Sequence, residues 1–504
     1  MRPTFLGFET TRKSLMASQK ALDITGHNIS NVNTTGYSRQ RVDLFSMVTT
    51  SGGTRYAASK IMCAGQGVYM SGVDQIRDPF LDKKFRELNS DTAEAGIKSS
   101  ILTDVENVLD NIDTEGLQKA LLKFQKTMQS FATDSTDREE IANILTQSAK
   151  QLVNLINNYD FKLTQIQDQT KFEVDASISD VNATLNKIAD LNKQIADSYV
   201  SNGEVSYGLA GDYTVNATYG PNELLDTRNV LLDSLSSYGD IEVQDEKDGT
   251  VTVKFAGATV IQGDKATQLS CSEDSITGAL MLGFNNGSSF SPKSGSLKGY
   301  VDVYNGNGCY TQGAQNGSEG LAYFKTVIDK FSETMANEFN KMNEDPANPG
   351  VERPLFTTSD GSVIFTAKNL RVSDDWVNKP MSILPTNQDG ELDNAHIYRL
   401  LSVFDKKVEF GNNNDFEGTF EGYISYYTNK LSQEITFQSG KFESNDSLTT
   451  SILSERDAKS AVSLDEEGIN MMNYQKWFNA SARVMTTLDE ALNTIINNMG
   501  LVGR

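Results

Sequence analysis

Histidine and cysteine are scarce in this chain: two histidines, His27 and His396, and three cysteines, Cys63, Cys271 and Cys309, in 504 residues. Two imidazoles leave little for histidine-based proton transfer or metal ligation. Three widely spaced thiols, odd in number, make neither a disulfide framework nor a zinc box. Long hydrophobic runs are missing too. The longest, Ala279 to Phe284, falls far short of the ~20 residues of a membrane-spanning helix. No apolar segment follows the N-terminus, so no cleaved secretory signal is expected. Positive charge is outweighed, with 45 Lys and Arg against 67 Asp and Glu and a net charge of −22, which argues against a nucleic-acid binder. The HExxH and GxSxG motifs do not occur. Gly306-Asn307-Gly308 lacks the following Lys and Ser/Thr of a phosphate loop and reads as a turn. Asp245-Glu246-Lys247-Asp248 lacks the ligand spacing of a calcium loop and reads as a hairpin tip. His396 reads as a surface or cap residue, and His27 as local polar structure at a helix end. No enzymatic activity, metal or cofactor is expected.

What the chain does have is periodicity. Phe8, Leu15, Leu22 and Ile29 recur every seven residues, and so do Leu464, Met471, Phe478, Met485, Leu492 and Met499 at the other end. Tyr474, Leu488, Ile495 and Val502 follow members of the second row by three, which completes the a/d stripe of a helix that needs a partner helix. The N-terminal stripe is narrower, because Arg12 and Gln19 hold companion positions. Residues 1–60 carry eight basic residues against three acids, a local excess of +5, but scattered rather than in a block.

Leu117 to Asn202 contains no Gly or Pro and predicts long helices, broken near Ser135-Thr136-Asp137 and restarting at Arg138. Val174, Val181, Ile188 and Ile195 form a further seven-residue row, read as a coiled-coil-like seam. From about Gly203 the composition turns to Gly, Tyr, Thr and Val. Asp248-Gly249 between alternating runs predicts a hairpin with Val251, Val253 and Phe255 on one face. Gly278 to Val303 reads as short strands and Leu321 to Met342 as an amphipathic helix. The breaker cluster Asp345 to Gly350 opens a second strand-rich insert to about Pro385. Helical patterns return over Asn394–Lys407 and from about Thr419. At ~150 residues per domain, about three domains are expected. The fold class is mainly α with β-rich inserts (α+β). Residues 1–60 plus 460–504 would form a terminal coiled coil. Residues 61–202, 318–344 and 417–459 would form a helical second domain, and 203–317 with 345–416 the β-rich outer inserts.

Two segments are more specific. The stretch Gly26 to Gln40 places Asn28, Asn31, Asn33, Gly36, Tyr37, Arg39 and Gln40 just where the first helix ends. Asn and Ser side chains can satisfy a helix's last backbone groups, and Gly36 permits a positive φ. In Ser460 to Glu467, Ser463 sits as an N-cap with Glu466 three residues on, and Asp465, Glu466 and Glu467 favour the positive end of the helix dipole.

Both segments resemble the terminal signatures of bacterial flagellar axial proteins, the family of rod, hook and hook-associated subunits. Asn28-Ile29-Ser30-Asn31 with Asn33-Thr34-Thr35-Gly36 is similar to the family's opening motif. Tyr37-Ser38-Arg39-Gln40 is similar to its hook-associated version rather than the Phe-Lys-Arg of rod and hook proteins. Ser460 to Glu467 resembles Ser-Gly-Val-Asn-Leu-Asp-Glu-Glu, departing at Ala461 and Ser463, and the likeness runs on from Met472 to Val484. Gly220 to Asn229 resembles an internal Pro-Asn-x-Leu-x-Asp-x-Arg-Asp, with Asn229 where Asp is usual, and Ser294 to Gly299 a Ser-Gly-x-Leu-x-Gly. The resemblance implies paired termini lining an axial tube and a structural ring between hook and filament, needed for filament assembly and motility. It further implies export through the flagellar type III channel to an extracellular position without a cleaved signal. The implied partners are further copies of the chain, the hook protein, a second hook–filament junction protein, and an export chaperone on the C-terminal segment. No nucleic acid or membrane insertion is implied. Two alternatives stand beside this: a hook or distal rod subunit, and a type III-secreted protein with an enzymatic or adhesive insert at 203–415.

Overall fold

A computed structural model describes residues 4–46, 67–109, 116–133, 137–201, 205–207, 213–215, 220–344, 353–385, 393, 395–410 and 416–498. Cys63, the 345–350 breaker cluster, Met499 and Val502 lie outside these residues. The chain opens with α1 (Thr4–Ser30) and a ribbon of β1 (Gln40–Ser46) and β2 (Val68–Gln75), followed by α2 (Pro79–Leu109), α3 (Leu117–Thr133) and α4 (Arg138–Ser201). A short hairpin, β3 (Val205–Tyr207) and β4 (Tyr213–Val215), precedes α5 (Asn222–Tyr238). Strands β5 (Ile241–Asp245), β6 (Val251–Phe255), β7 (Ala258–Gln262) and β8 (Lys265–Ala266) make an antiparallel meander, and β9 (Leu269–Glu273) pairs with β10 (Leu280–Phe284). Then come α6 (Ser296–Asn305), α7 (Leu321–Met342), β11 (Phe356–Thr358), β12 (Leu370–Val372), α8 (Asp374–Asn378) and α9 (Ala395–Asp405). The chain closes with β13 (Val408–Phe410), β14 (Phe416–Gly418), α10 (Phe420–Ser460) and α11 (Leu464–Asn493). The molecule is mainly helical with small antiparallel sheets, the expected class.

Two long helices frame the body. α2 and α10 run antiparallel, tied at Lys459–Asp78, Thr92–Thr449 and Ser432–Glu106. The core lies where α3, α7, α9 and α10 meet. There Phe339 packs on Phe404 at 5.2 Å between ring centroids, and Phe410 stacks on Tyr423 at 4.1 Å. Such edge and stacked pairs add about 0.5–1.5 kcal/mol each to what their burial gives.

Local rules account for most elements. α4 starts at Arg138 and α7 spans Leu321–Met342, as the sequence pattern puts them, while Ser135 and Thr136 lie outside the described residues; Gly249 turns the β5–β6 hairpin at φ +80°. Three readings change. Residues Ser296–Asn305 are helical rather than extended. Leu297, Tyr300, Val303 and Tyr304 make a helical stripe, obscured in sequence by Gly299, where a Cβ would lie 3.0 Å from the Glu94 carbonyl oxygen of α2. The Val174–Ile195 row is fully buried, but it faces the small sheets and α5 as well as other helices. Asn182 donates to the Leu269 carbonyl and Asn192 to that of Val251, each at 2.9 Å. A heptad row records one buried face and does not say what covers it. Finally, His396 is wholly buried, with Nε2 2.8 Å from Asn343 Oδ1 and Nδ1 2.8 Å from an Arg399 guanidinium nitrogen, rather than on the surface.

Candidate functional site at the corner of the terminal helix pair

α1 and α11 pack antiparallel. Gly7 lies against Leu488, Ser14 Oγ is 2.8 Å from Ser481 Oγ, and Asn28 reaches Glu467. Among the described side chains, the buried face of α1 consists of Thr11, Ala17, Ser18, Ala21, Thr25 and Asn28, all small or polar. Small residues let two helices approach closely, and at Gly7 a Cβ would already come within 3.3 Å of Leu488. The expected row Phe8, Leu15, Leu22 and Ile29 stands beside this seam and is half-buried. On α11, Met471, Phe478, Met485 and Leu492 are half-buried as well, and Leu464 is exposed at the first turn. Around them Met16, Ile469, Met472, Trp477 and Val484 are all close to half exposed.

The polar motif residues gather at the corner where this pair meets the body. Asn28 is 1 % exposed and is the hub. Its Oδ1 accepts from the Gln40 N–H at 3.0 Å and the Tyr37 hydroxyl at 2.8 Å. Its Nδ2 donates to the Gln40 carbonyl at 2.9 Å and to Glu467 Oε2 at 3.2 Å. All of its amide capacity is therefore engaged. Arg39 donates through Nε to Glu467 Oε1 at 2.8 Å and through Nη1 to Glu466 Oε2 at 2.6 Å. The Arg39 backbone also links the Ser460 carbonyl to the Ile76 N–H, each at 2.8 Å. Asn31 closes the turn after α1 through the His27 carbonyl and Thr34. Gly36 adopts φ +80°, and a Cβ there would come within 2.2 Å of Val230 on α5. Asn33 and Asp465 are exposed. Ser463 caps α11, accepting from the Glu466 N–H.

A second layer holds the corner to the body. Asp226, inside the Gly220–Asn229 stretch, accepts from the Ser38 N–H at 3.1 Å, and Arg77 lies between Asp82 at 2.9 Å and Asp226 at 3.5 Å. Arg456 pairs with Asp233 at 2.6 Å and stacks over Phe85. Burial raises the Asp226 pKa against its Ser38 hydrogen bonds and the Arg77 charge. Burial works against the Arg77 cation too, but Asp82, Asp233 and Asp226 outweigh it and its pKa is raised. Burial, then Asp226, Glu223 and Glu467, keep the Tyr37 phenol protonated and so a hydrogen-bond donor to Asn28. His27 sits 3.3 Å from Glu223 and edge-on to Tyr37, so it too faces α5. Sequence spacing hinted at Asp226 through its motif. Nothing local marked Arg77, Asp82, Asp233 or Arg456, whose partners lie far along the chain.

The corner contains no assembled nucleophile and base, and among the described residues no cluster of His, Cys, Asp and Glu suits a metal ion. No described helix is long and apolar enough to cross a membrane. Its geometry suits a joint that sets how a helix pair leaves a body, the architecture of flagellar axial proteins.

Comparison with known proteins agrees. Residues 102–348 match the helical domain of flagellar hook-associated protein FlgK, residues 8–37 a flagella basal body rod protein model, and 454–499 the C-terminal model of the basal body rod FlgEFG proteins. The chain is 29 % identical to flagellar hook-associated protein 1 of Bacillus subtilis (strain 168) over 100 % of both chains. It is 24 % identical to that of Escherichia coli (strain K12), over 96 % of this chain and 98 % of the relative. The flagellar hook junction protein FlgK of Burkholderia pseudomallei shares the fold, with a TM-score of 0.58 and 11 % identity over 76 % of this chain and 100 % of that one. The chain is thus similar, end to end, to bacterial flagellar hook-associated protein 1, and its central helices to the FlgK helical domain.

Proposed function

We propose that this chain builds the junction between flagellar hook and filament as a ring of identical subunits outside the cell. The observation that carries this reading is the apolar surface left on the terminal pair: Met16 is 59 % exposed, Trp477 53 % and Val484 49 %. Patches of this kind mark interaction sites. In the ring, Phe8, Leu15, Leu22 and Ile29 with Leu464, Met471, Phe478, Met485, Leu492 and Met499 form the seams between neighbouring copies. Asn28, Arg39, Glu466 and Glu467 fix the angle at which each pair leaves its body. Residues 1–60 and 460–504 serve as the axial domain, the long helices as the next layer, and 203–317 with 345–416 as outer inserts. The hook protein would meet one face of the ring and a second junction protein the other, and a chaperone would cover the C-terminal segment before type III export. Gold-labelled antibody on isolated hook–filament particles tests this. One band at the distal end of the hook is expected, and label along the hook shaft or the filament would overturn it.

A further inference from the structure

The contacts Gly7–Leu488, Ser14–Ser481 and Asn28–Glu467 recur at multiples of seven on both helices, so the seam between α1 and α11 keeps heptad register along its length. Each helix therefore has two flanks beside the seam. On α1, Phe8, Leu15, Leu22 and Ile29 each follow a seam residue, while Thr10, Ala17 and Ile24 each precede one. On α11, Gln475, Ala482 and Asp489 follow seam residues, and Trp477, Val484 and Ala491 precede them. An antiparallel helix pair has an approximate twofold axis normal to its plane. Equivalent flanks therefore share a side, and the pair has two unlike sides. One side carries the apolar row Phe8, Leu15, Leu22 and Ile29 of α1, half-buried beside Ala482 and two polar residues of α11. On the other side the ribbon of β1 and β2 meets α1: a Cβ at Gly67 would lie 3.2 Å from Thr10, and Ala17 is buried. There α11 is left open, with Trp477 53 % exposed, Val484 49 % exposed and Ala491 exposed as well. Neither apolar row carries a charge. Both repeat every seven residues, about 10.5 Å along a helix, so the side chains of one row can seat in the gaps of the other.

We propose that the row Phe8, Leu15, Leu22 and Ile29 of one copy packs beside the ribbon of the next copy, on its Trp477, Val484 and Ala491. This rests on the ring reading above and gives the ring a direction. The occupant of each row is a second copy of the chain, because every chain carries both halves of the contact, unlike each other and on opposite sides. Unlike faces that meet head to tail propagate from copy to copy, and the unfilled rows at the two ends disappear when the array closes.

The test is cross-linking in isolated hook–filament particles. A chain with both Leu15→Cys and Val484→Cys, treated with a short bismaleimide, should yield a ladder of covalently joined copies. Either substitution alone should give no more than the wild-type chain, whose three native cysteines set the background. A dimer from Leu15→Cys alone would overturn the proposal, because like rows would then meet. So would a missing ladder in particles whose gold label still marks the distal end of the hook, an outcome that leaves the ring reading standing without this contact. Absence of that label overturns both. If the double variant does not assemble, hydroxyl-radical oxidation of the wild-type chain decides. Trp477, Leu15 and Leu22 should all be oxidised in the monomer and lose that reactivity in the particles. Trp477 as reactive in the particles as in the monomer would sink the proposal. Protection of Trp477 without protection of Leu15 and Leu22 would do so too, because another molecule would then cover it.

Discussion

In α4 the row Val174, Val181, Ile188 and Ile195 is 0 % exposed, while in α11 the row Met471, Phe478, Met485 and Leu492, with the same spacing, is only half-buried. The contrast extends to the whole molecule. The core cluster runs from Ile101 to Leu431, and among the described side chains α1 adds only Ala17 and Ala21 to the buried apolar residues, α11 none. One pattern thus has two outcomes. In the body, sheets and neighbouring helices of the same chain complete the burial. In the terminal pair, a single partner helix covers one side of each stripe and leaves the rest uncovered. An isolated helix pair gains little from packing against the cost of ordering it, about 1–2 kcal/mol per residue for the backbone alone. Tying its base to the body through Asp226 and the Arg39 backbone gives it a fixed direction nonetheless.

The contrast can be broken from either side. The largest effect is expected on assembly. Leu15→Asp or Met485→Asp should abolish filament growth and leave body melting unaltered, because in the proposed ring the charge would be buried between subunits. Secreted protein must be measured alongside filament length, so that a loss of export is told apart from a loss of assembly. Lys20→Asp, on the exposed face, is the control and should do little. Normal secretion together with wild-type filaments in the Leu15 and Met485 variants would remove these rows from the seam.

Next comes the body. Phe339→Ala empties the aromatic core between α7 and α9 and should cost about 3–5 kcal/mol in denaturant unfolding. Amide exchange in α1 and α11 should hardly change. If the termini loosen equally, the two regions are one cooperative unit.

The corner should give a smaller effect that separates them. Arg39→Ala leaves Glu467, 2 % exposed, without its cation. A double-mutant cycle with Glu467→Gln should return a coupling of about 2 kcal/mol. Spin labels at Lys20 and Lys83 should report a broader distance distribution while the body melts as before. A coupling near zero would mean that the helix seam alone orients the pair.

The smallest effect concerns pH. Burial, opposed by the Ala367 N–H that donates to it at 2.7 Å, raises the Asp329 pKa to about 6. Between about pH 4 and 6 the folded chain keeps a proton that the unfolded chain has released, so this group's contribution falls as pH rises through that window. Asp329→Asn should therefore stabilise the body by about 1–2 kcal/mol at pH 7 and by almost nothing at pH 4. A gain that does not vary with pH would point to packing instead of titration.

Wherever a rule needs only neighbours in the chain, the sequence was enough. Breaker spacing located the helices at Arg138–Ser201 and Leu321–Met342, and alternation located the β5–β6 hairpin. Glycine spacing put a positive φ at Gly36, and a Ser with acids after it put the cap of α11 at Ser463. These depend on backbone geometry and on hydrogen bonds across a few residues. Only the tertiary structure decided the rest. That the α1 seam runs through Thr11, Ser18 and Asn28 instead of Leu15 and Leu22 depends on the small residues that let α11 come close. Ser296–Asn305 is helical because Gly299 fits against α2. Arg39, Glu467, Asp226 and Arg77 form one joint because four separate segments meet there. Burial, and with it the strength of each charge and each apolar contact, is a property of what lies across space, and spacing along the chain does not encode it.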